Sequence, residues 1–289
     1  MRAGLFSLIL CLLICLAACS QDPPSTDRDA SYSRVVTLAP NLTELVYAVG
    51  AGATLVGVSA YSDYPPQALD LPVVGDAFMV DQEQLAMLRP DLLLVWQSGT
   101  PAHVVDELRR SGYTIEAVRT QSLRDVADAL RRIGALTGHV DSAEAVASTY
   151  LQTLQSLKEQ FADAAEISVF YQVSQRPLFT VNGDHYVSEL IELCGGHNIF
   201  GDLNSLAPTV DVEAVVERDP EVMLASSDAG ASAFDEWQRW PHIAANRYGN
   251  HFIMPADAIG RATLRLVDAA QAVCAALGDA REHRSSLAQ

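Results

Sequence analysis

Residues 83–94, EQLAMLRPDLLL, carry a pattern that returns later in the chain at residues 213–224 as EAVVERDPEVML. In each copy a glutamate opens a short amphipathic helix, a proline ends it seven residues later, and an acidic residue leads into an apolar strand. A second matching pair lies upstream, TELV at residues 43–46 and SELI at residues 188–191, each with a glycine six residues after its glutamate. Two motifs in the same order predict two lobes of similar α/β build, with a small-molecule cleft between them.

Strand and helix signals alternate in both halves, which predicts mostly parallel sheets with covered faces. We expect a first lobe at residues 34–138 and a second lobe at residues 163–289. One long interdomain α-helix at residues 139–162 joins them, because residues 141–161 lack Gly and Pro, and about 20 helical residues span about 30 Å. The predicted strands are 35–38, 55–58, 92–96, 168–173, 222–225 and 252–254, and the predicted helices are 43–49, 103–111, 123–137, 186–194, 212–218 and 265–277.

The sequence also predicts where the interdomain helix begins and which of its faces is buried. Asp141 and Glu144 resemble a capping box, with Asp in place of the usual Ser or Thr. A stiff helix of this kind limits hinge closure compared with flexible crossing strands. Its larger apolar residues recur every three or four positions and form one stripe, namely Val146, Tyr150, Leu154, Leu157 and Phe161.

The first residues of the chain have the pattern of an export signal. Arg2 precedes a short apolar run that ends in Leu-Ala-Ala-Cys, which predicts a lipoprotein signal peptide at residues 1–18 and a lipid on Cys19. An ordinary signal peptide with an incidental cysteine is the alternative. Residues 19–33 are polar and contain two prolines, which suits a flexible tether. We therefore expect a monomer in the periplasm that is anchored to a membrane through Cys19.

Composition narrows the classes of function. The formal net charge of −17 disfavours nucleic acid as a partner. Hydrolase and zinc-protease motifs are missing, and the seven histidines are scattered, so we expect neither an enzyme nor a resident metal or cofactor. An enzyme that uses the carboxylates Asp63 and Asp257 is a more distant alternative. Cys194 and Cys274 are an even pair in an oxidising compartment, so we expect a disulfide, with two buried free thiols as the alternative.

Aromatic residues follow several of the predicted strands. Tyr61 opens YSDYPPQA at residues 61–68, directly after a strand, where open α/β sheets present ligands. Phe78 lies in a later loop, Trp96 ends a strand of the first lobe, and Phe179 follows a strand of the second. Such rings can lay their faces on a large planar ligand, although ordinary loop packing explains any one of them equally well.

The sequence singles out three further residues, Arg261, Trp237 and Trp240. Arg261 lies in a glycine-containing loop, where its guanidinium either donates hydrogen bonds into the cleft or pairs with Asp257. Both alternatives remain open from the sequence. Trp237 and Trp240 stand just before a strand, and we expect them in the core rather than at a ligand.

Residues 61–68, the two glutamate repeats, LCGGHNIF at residues 193–200 and Cys274 resemble the cobalamin-binding proteins of bacterial ABC importers. The resemblance covers nearly everything from residue 34 to residue 277, within the wider siderophore, haem and cobalamin group. It implies two lobes joined by one long helix, with the ligand held in the cleft between them. It also implies that the disulfide joins Cys194 to Cys274.

The same resemblance assigns roles to individual residues. It places ligand contacts at Tyr61, at Phe179 and in the loop from Asp257 to Arg261. It further implies that Glu83 and Glu213, one in each lobe, dock onto arginines of the membrane permease, which works with its ATPase subunits. The residues then act in capture and delivery rather than in catalysis.

The chain departs from that family in two loops. The cobalamin binders carry a tryptophan before the first docking glutamate, where this chain has Ala77-Phe78, and another before the second, where residues 206–208 are LAP. The loss of both tryptophans opens the cleft. The haem-binding relatives carry a tyrosine in the first of these loops, and none stands between Gly75 and Glu83 here, which argues against haem. The sequence therefore predicts a lipid-anchored substrate-binding protein that delivers cobalamin or a related corrinoid to an ABC permease. The alternative is the same architecture binding a ferric siderophore, haem or a metal ion.

Overall fold

The structure is a computed structural model that describes residues 31–230 and 232–287. Its strands belong to two parallel sheets and one short antiparallel hairpin. They are β1 (Val35–Thr37), β2 (Leu55–Val58), β3 (Leu92–Trp96), β4 (Ile115–Val118), β5 (Ile167–Gln172), β6 (Ser174–Gln175), β7 (Leu178–Phe179), β8 (Gly196–Asn198), β9 (Val222–Ser226) and β10 (His251–Met254).

The order of the strands is the same in both sheets. The first sheet runs β2-β1-β3-β4 and the second runs β10-β9-β5-β8. In each, the first strand of the lobe lies between the second and the third, and the fourth lies beyond the third. The repeat in the sequence is therefore a repeat of topology, and the prediction of two similar α/β lobes with parallel sheets is confirmed.

Helices pack on these sheets and connect them. They are α1 (Pro40–Ala48), α2 (Gln82–Leu88), α3 (Ala102–Arg110), α4 (Leu123–Thr137), α5 (Val140–Gln160), α6 (Tyr186–Leu193), α7 (Val212–Arg218), α8 (Ala244–Tyr248), α9 (Ala256–Ile259) and α10 (Leu266–Leu287). The predicted interdomain helix is α5, which leads from the first lobe to the second. No helix in the described part of the chain has both the length and the apolar character that a membrane span requires.

The predicted capping box of α5 is wrong. The helix begins at Val140, two residues after Gly138, which ends α4, so Asp141 already lies inside its first turn. Glu144 is used elsewhere, because its carboxylate accepts hydrogen bonds of 2.7 and 2.9 Å from Arg131 of α4. A bidentate arginine offers the carboxylate a stronger partner than the backbone N–H of a capping position.

The largest apolar core is shared by the two lobes. It extends from the first sheet through α1 and α4, across α5, to α6 and α10 beside the second sheet. Gly134 of α4 lies so close to α5 that a Cβ on it would be 2.3 Å from the Cβ of Ala143. Because close-packed interiors resist changes of shape, this shared core ties the lobes together on the side of α5. Trp237 lies in a separate core of the second lobe with Trp240 packed against it, as predicted.

A disulfide braces the second lobe. Cys194 ends α6 and is bonded to Cys274 of α10, with the two Cα atoms 4.9 Å apart. Both cysteines are buried. The bond closes a loop of 80 residues between two helices of the shared core. The predicted signal peptide, Cys19 and most of the predicted tether lie outside the described residues.

Candidate functional site

Loops from the carboxyl ends of the two sheets meet across the lobe boundary. Tyr61 and Asp63 follow β2 of the first lobe, and Arg261 follows β10 and α9 of the second. Arg261 Nη1 donates a hydrogen bond of 2.6 Å to Asp63 Oδ1, and Arg261 Nη2 donates one of 3.1 Å to the Tyr61 carbonyl oxygen. The two sheets therefore face each other with their carboxyl ends, which are the edges where α/β folds bind ligands. The candidate cleft lies between these edges.

Tyr61 is presented to solvent by a constrained loop. Its side chain is 80% exposed, and its backbone is left-handed with φ of 65°, a conformation that is uncommon outside glycine. The buried hydroxyl group of Ser62 attaches the loop to α1 and to the end of β2, because Ser62 Oγ lies 3.0 Å from Thr43 Oγ1 and 3.2 Å from Ser59 Oγ. Backbone strain that neighbouring contacts maintain is common at binding sites. The loop thus fixes an exposed aromatic ring at the edge of the cleft.

Phe78 lies in a second constrained loop beside the first. The amide of Ala60 donates a hydrogen bond of 2.7 Å to the Gly75 carbonyl oxygen, which joins the Tyr61 loop to residues 75–80. Asp76 Oδ1 accepts 2.8 Å hydrogen bonds from the amides of Phe78 and Met79, and these bonds lower the pKa of Asp76. Phe78 is 67% exposed. The structure therefore brings two predicted ligand residues, Tyr61 and Phe78, onto neighbouring loops.

The remaining predicted aromatic contacts are less open. Trp96 is half-buried against the shared core, and its ring lies over Gly99, where a Cβ would come within 1.9 Å of it. Phe179 is also half-buried, in the β6–β7 hairpin, where it forms a bridge to Thr209. Trp96 stands at the carboxyl end of its strand, but packing against its own loop accounts for much of its surface. A ligand role for Trp96 or Phe179 stays a prediction.

Arg261 does not pair with Asp257, so that alternative is wrong. Among the described residues its ion pairs are with Glu44, at 3.0 Å, and with Asp63. Asp257 is exposed on the first turn of α9, while the Arg261 side chain extends across to carboxylates of the other lobe. The hydrogen bond that Arg261 donates holds the pKa of Asp63 below its ordinary value. Two carboxylates within reach attract the guanidinium more strongly than one exposed carboxylate does.

Sequence reasoning missed three residues beside Arg261. Glu44 is a buried carboxylate on α1, and Arg265 Nη2 and Nε donate hydrogen bonds of 2.5 and 3.1 Å to it. The Arg265 guanidinium also lies 4.6 Å from the centre of the Tyr64 ring. Glu44 was visible in the TELV repeat, as the only charged residue of its helix. Its partners, however, come from the far end of the chain.

Glu83 and Glu213 occupy equivalent positions in the two lobes. Each is the second residue of its helix, α2 or α7, and each is exposed. Each helix ends at a left-handed residue, Arg89 with φ of 46° and Asp219 with φ of 43°. Helices that lie between parallel strands run antiparallel to them, so both helix starts lie at the carboxyl ends of their sheets. The two glutamates therefore belong to the rim of the candidate cleft.

Three other acidic residues in or beside the repeats have structural roles. Asp81 caps α2, because its side chain accepts a hydrogen bond of 2.9 Å from the amide of Gln84. After the proline, Asp91 Oδ1 accepts from the amide of Arg34 at 2.9 Å, and Glu221 Oε2 accepts from the amide of Ser168 at 3.1 Å. These acids join β3 to β1 and β9 to β5. Asp211, at the corresponding position before α7, makes no side-chain cap hydrogen bond. In the described part of the chain, no side-chain hydrogen bond or ion pair of this kind involves Glu83 or Glu213.

The chain is similar to several known proteins. A family model described as periplasmic binding protein matches residues 35–258. The chain is 36% identical over 242 residues to a protein of Vibrio cholerae serotype O1 named vitamin B12-binding protein. The aligned region covers 83% of this chain and 87% of that protein. It is 33% identical over 263 residues to a protein of the same name from Pectobacterium atrosepticum, covering 88% and 91%.

Two solved structures show the same architecture. The crystal structure of the periplasmic vitamin B12 binding protein BtuF of Vibrio cholerae matches with a TM-score of 0.78 and 35% identity, covering 86% of this chain and 98% of that one. The periplasmic heme-binding protein BhuT in complex with two hemes matches with a TM-score of 0.76 and 20% identity, covering 87% and 99%. The second likeness shows a shared fold alone.

Proposed function

The chain belongs to the periplasmic binding protein family, and we propose that it captures cobalamin or a related corrinoid between its lobes and delivers it to an ABC permease. The observation that carries this proposal is the 36% identity, over most of both chains, to a protein named for vitamin B12. The protein acts by binding and transfer rather than by catalysis. A heme-binding relative of the same fold is only 20% identical, which gives that cargo weaker support.

The rim of the cleft suits a corrin ring. Tyr61 and Phe78 are exposed aromatic residues on loops that hydrogen bonds hold in place. Aromatic faces bind flat apolar surfaces well, and loops that are ordered beforehand lose little entropy on binding. Phe78 supplies one such face in the loop where the cobalamin binders carry a tryptophan. The smaller ring leaves more room, which also admits a corrinoid other than cobalamin or a ferric chelate.

Calorimetric titration with a panel of compounds tests the choice of cargo. The panel consists of cobalamin, cobinamide, haemin and a ferric siderophore, each added to the purified protein under the same conditions. We expect one cobalamin per chain and the tightest binding for cobalamin or cobinamide. Tighter binding of haemin or of the ferric siderophore would assign the cleft to the alternative cargo.

Replacing Tyr61 with alanine should weaken cobalamin binding by about 1–3 kcal/mol, because the ring loses its buried contact with the ligand. That change corresponds to a rise in Kd of roughly 5- to 150-fold. Tyr61→Phe is the matched control, since it keeps the ring and should keep most of the affinity. An unchanged Kd in Tyr61→Ala would leave Tyr61 as a loop residue only.

Membrane attachment is expected to depend on Cys19, which the Leu-Ala-Ala-Cys sequence marks as the lipidated residue. Cys19→Ala should move the protein from the membrane fraction to the soluble fraction of broken cells. Cys15→Ala, which changes a cysteine inside the signal peptide, should leave the protein in the membrane fraction. Continued membrane attachment of Cys19→Ala would remove the lipid anchor from the proposal.

A further inference from the structure

The upstream repeat of the sequence, TELV and SELI, supplies one glutamate from each lobe that reaches the other lobe. Glu44 of α1 accepts hydrogen bonds from Arg261 and Arg265 of the second lobe. Glu189 of α6 accepts a hydrogen bond of 2.7 Å from the amide of Leu123, the first residue of α4 in the first lobe. We propose that these two glutamates form an interlobe clasp that fixes the width of the cleft, with Glu44 as the positioning residue for Arg261.

The residues before the two glutamates attach each helix to its own lobe. Thr43 Oγ1 lies 2.6 Å from Thr37 Oγ1 of β1, and both residues are fully buried. Ser188 Oγ donates a hydrogen bond of 2.7 Å to the Asn182 carbonyl oxygen and accepts one of 2.8 Å from Asn198 Nδ2 of β8. Each repeat therefore has a hydroxyl that bonds within its lobe and a carboxylate that bonds across the boundary.

Other contacts place the clasp in a rigid part of the molecule. The amide of Tyr186 donates a hydrogen bond of 2.9 Å to the Gln121 carbonyl oxygen, which crosses the same boundary next to Glu189. The apolar core shared by α1, α4, α5, α6 and α10 lies behind both glutamates. A packed core and directional hydrogen bonds together favour a single arrangement of the lobes. The cleft is thus preformed rather than closed by a hinge.

The two halves of the clasp differ in charge. Glu44 and Asp63 face Arg261 and Arg265, so two negative charges balance two positive ones at a site where the Glu44 side chain is only 4% exposed. Removing the charge of Glu44 would leave Arg265 without a carboxylate in a largely buried position, which is costly. Glu189 bonds instead to a neutral amide, and burial raises its pKa. A glutamine there keeps the acceptor and removes the cost of a buried charge.

The clasp also determines what Arg261 can do in the cleft. Its Nη1 is held by Glu44 and Asp63, and its Nη2 by the Tyr61 carbonyl oxygen. Arg261 therefore connects the loop that carries the exposed Tyr61 ring to the second lobe. Loss of Glu44 should move this loop and the arginine together. The expected change in cobalamin affinity rests on the proposed capture of a corrinoid in the cleft, whereas the expected change in interlobe distance does not.

Distance measurements between spin labels on the two lobes test the clasp. Labels are attached to Ser111→Cys in the first lobe and Gln238→Cys in the second, both exposed positions, in the Cys19→Ala background. We expect one narrow distance distribution, with and without cobalamin. Glu44→Gln should broaden that distribution and shift it by several ångströms, and it should raise the Kd for cobalamin about tenfold.

Three further variants make the test selective. Glu189→Gln should leave the distribution narrow. Glu116→Gln is the matched control, because it removes an exposed bidentate pair with Arg132 that lies within the first lobe. Arg265→Gln, which leaves Glu44 paired with Arg261, should give an intermediate broadening and serves if Glu44→Gln does not fold. An unchanged narrow distribution in folded Glu44→Gln or in Arg265→Gln would overturn the clasp, whether or not the wild-type protein binds cobalamin.

Discussion

Replacing both Glu83 and Glu213 with alanine should abolish cobalamin uptake while leaving the affinity of the protein for cobalamin unchanged. The two carboxylates are exposed at equivalent places on the rim of the cleft. Asp81 supplies the side-chain cap of α2, whereas Asp211 at the N-cap of α7 makes no side-chain cap hydrogen bond. Paired carboxylates that meet arginines across an interface set the orientation and the choice of partner. The helix dipole alone gives each glutamate about 0.3–1 kcal/mol of stability, so the variant should remain folded.

A matched pair of substitutions controls for the change in charge. Glu107→Ala with Glu217→Ala removes two exposed glutamates from helices of the two lobes, and this variant should support normal uptake. Uptake is measured in cells that depend on imported cobalamin, and permease binding is measured with the permease in detergent or nanodiscs. Loss of cobalamin affinity together with an intact permease complex would reverse the assignment of Glu83 and Glu213.

Removing the Cys194–Cys274 disulfide should lower the free energy of unfolding by about 2–5 kcal/mol, because the bond closes a long loop in the unfolded chain. Both cysteines are buried between α6 and α10, so Cys194→Ala with Cys274→Ala avoids burying new polar groups. Urea unfolding of the oxidised wild type and of the double variant measures the difference. Reduced wild type is the control and should unfold near the variant. Equal midpoints for oxidised and reduced wild type would contradict a stabilising disulfide.

The two-lobed architecture could be predicted because its signals are local. Pro90 and Pro220 end their helices, and the apolar residues that follow them begin central strands. The repeated order of these signals was enough to predict a repeated topology. A cleft between the two lobes could also be predicted, since the carboxyl ends of parallel strands are the usual site of ligands.

Two strands and one helix end escaped prediction because their local signals are weak. Strand β8 is the tripeptide Gly196–Asn198, in which neither composition nor alternation indicates a strand. The segment pairs with β5, and packing explains its glycine, because a Cβ on Gly196 would lie 2.8 Å from Leu277 and 2.9 Å from Ile191. Strand β4 was missed as well, and α10 continues ten residues beyond its predicted end at residue 277. Tertiary contacts decided these boundaries against weak local preferences.

The interlobe ion pairs show the limit of sequence reasoning most clearly. Glu44 and Arg261 are 217 residues apart, and no local pattern connects them. The one carboxylate partner that the sequence offered for Arg261 was therefore Asp257, in its own loop, beside the alternative of hydrogen bonds into the cleft. The exposed Tyr61 and Phe78 loops could be proposed from the sequence, because aromatic residues after strands point to a ligand edge.

Absorbance titration of the purified protein with cobalamin tests the central claim most directly. The corrin bands report on the surroundings of the ring, so binding in an aromatic cleft should shift them. We predict a saturable shift with an end point of one cobalamin per chain, and the same end point in the Glu83→Ala, Glu213→Ala variant. The absence of a saturable shift, or an end point that does not depend on the folded protein, would contradict capture of cobalamin between the lobes.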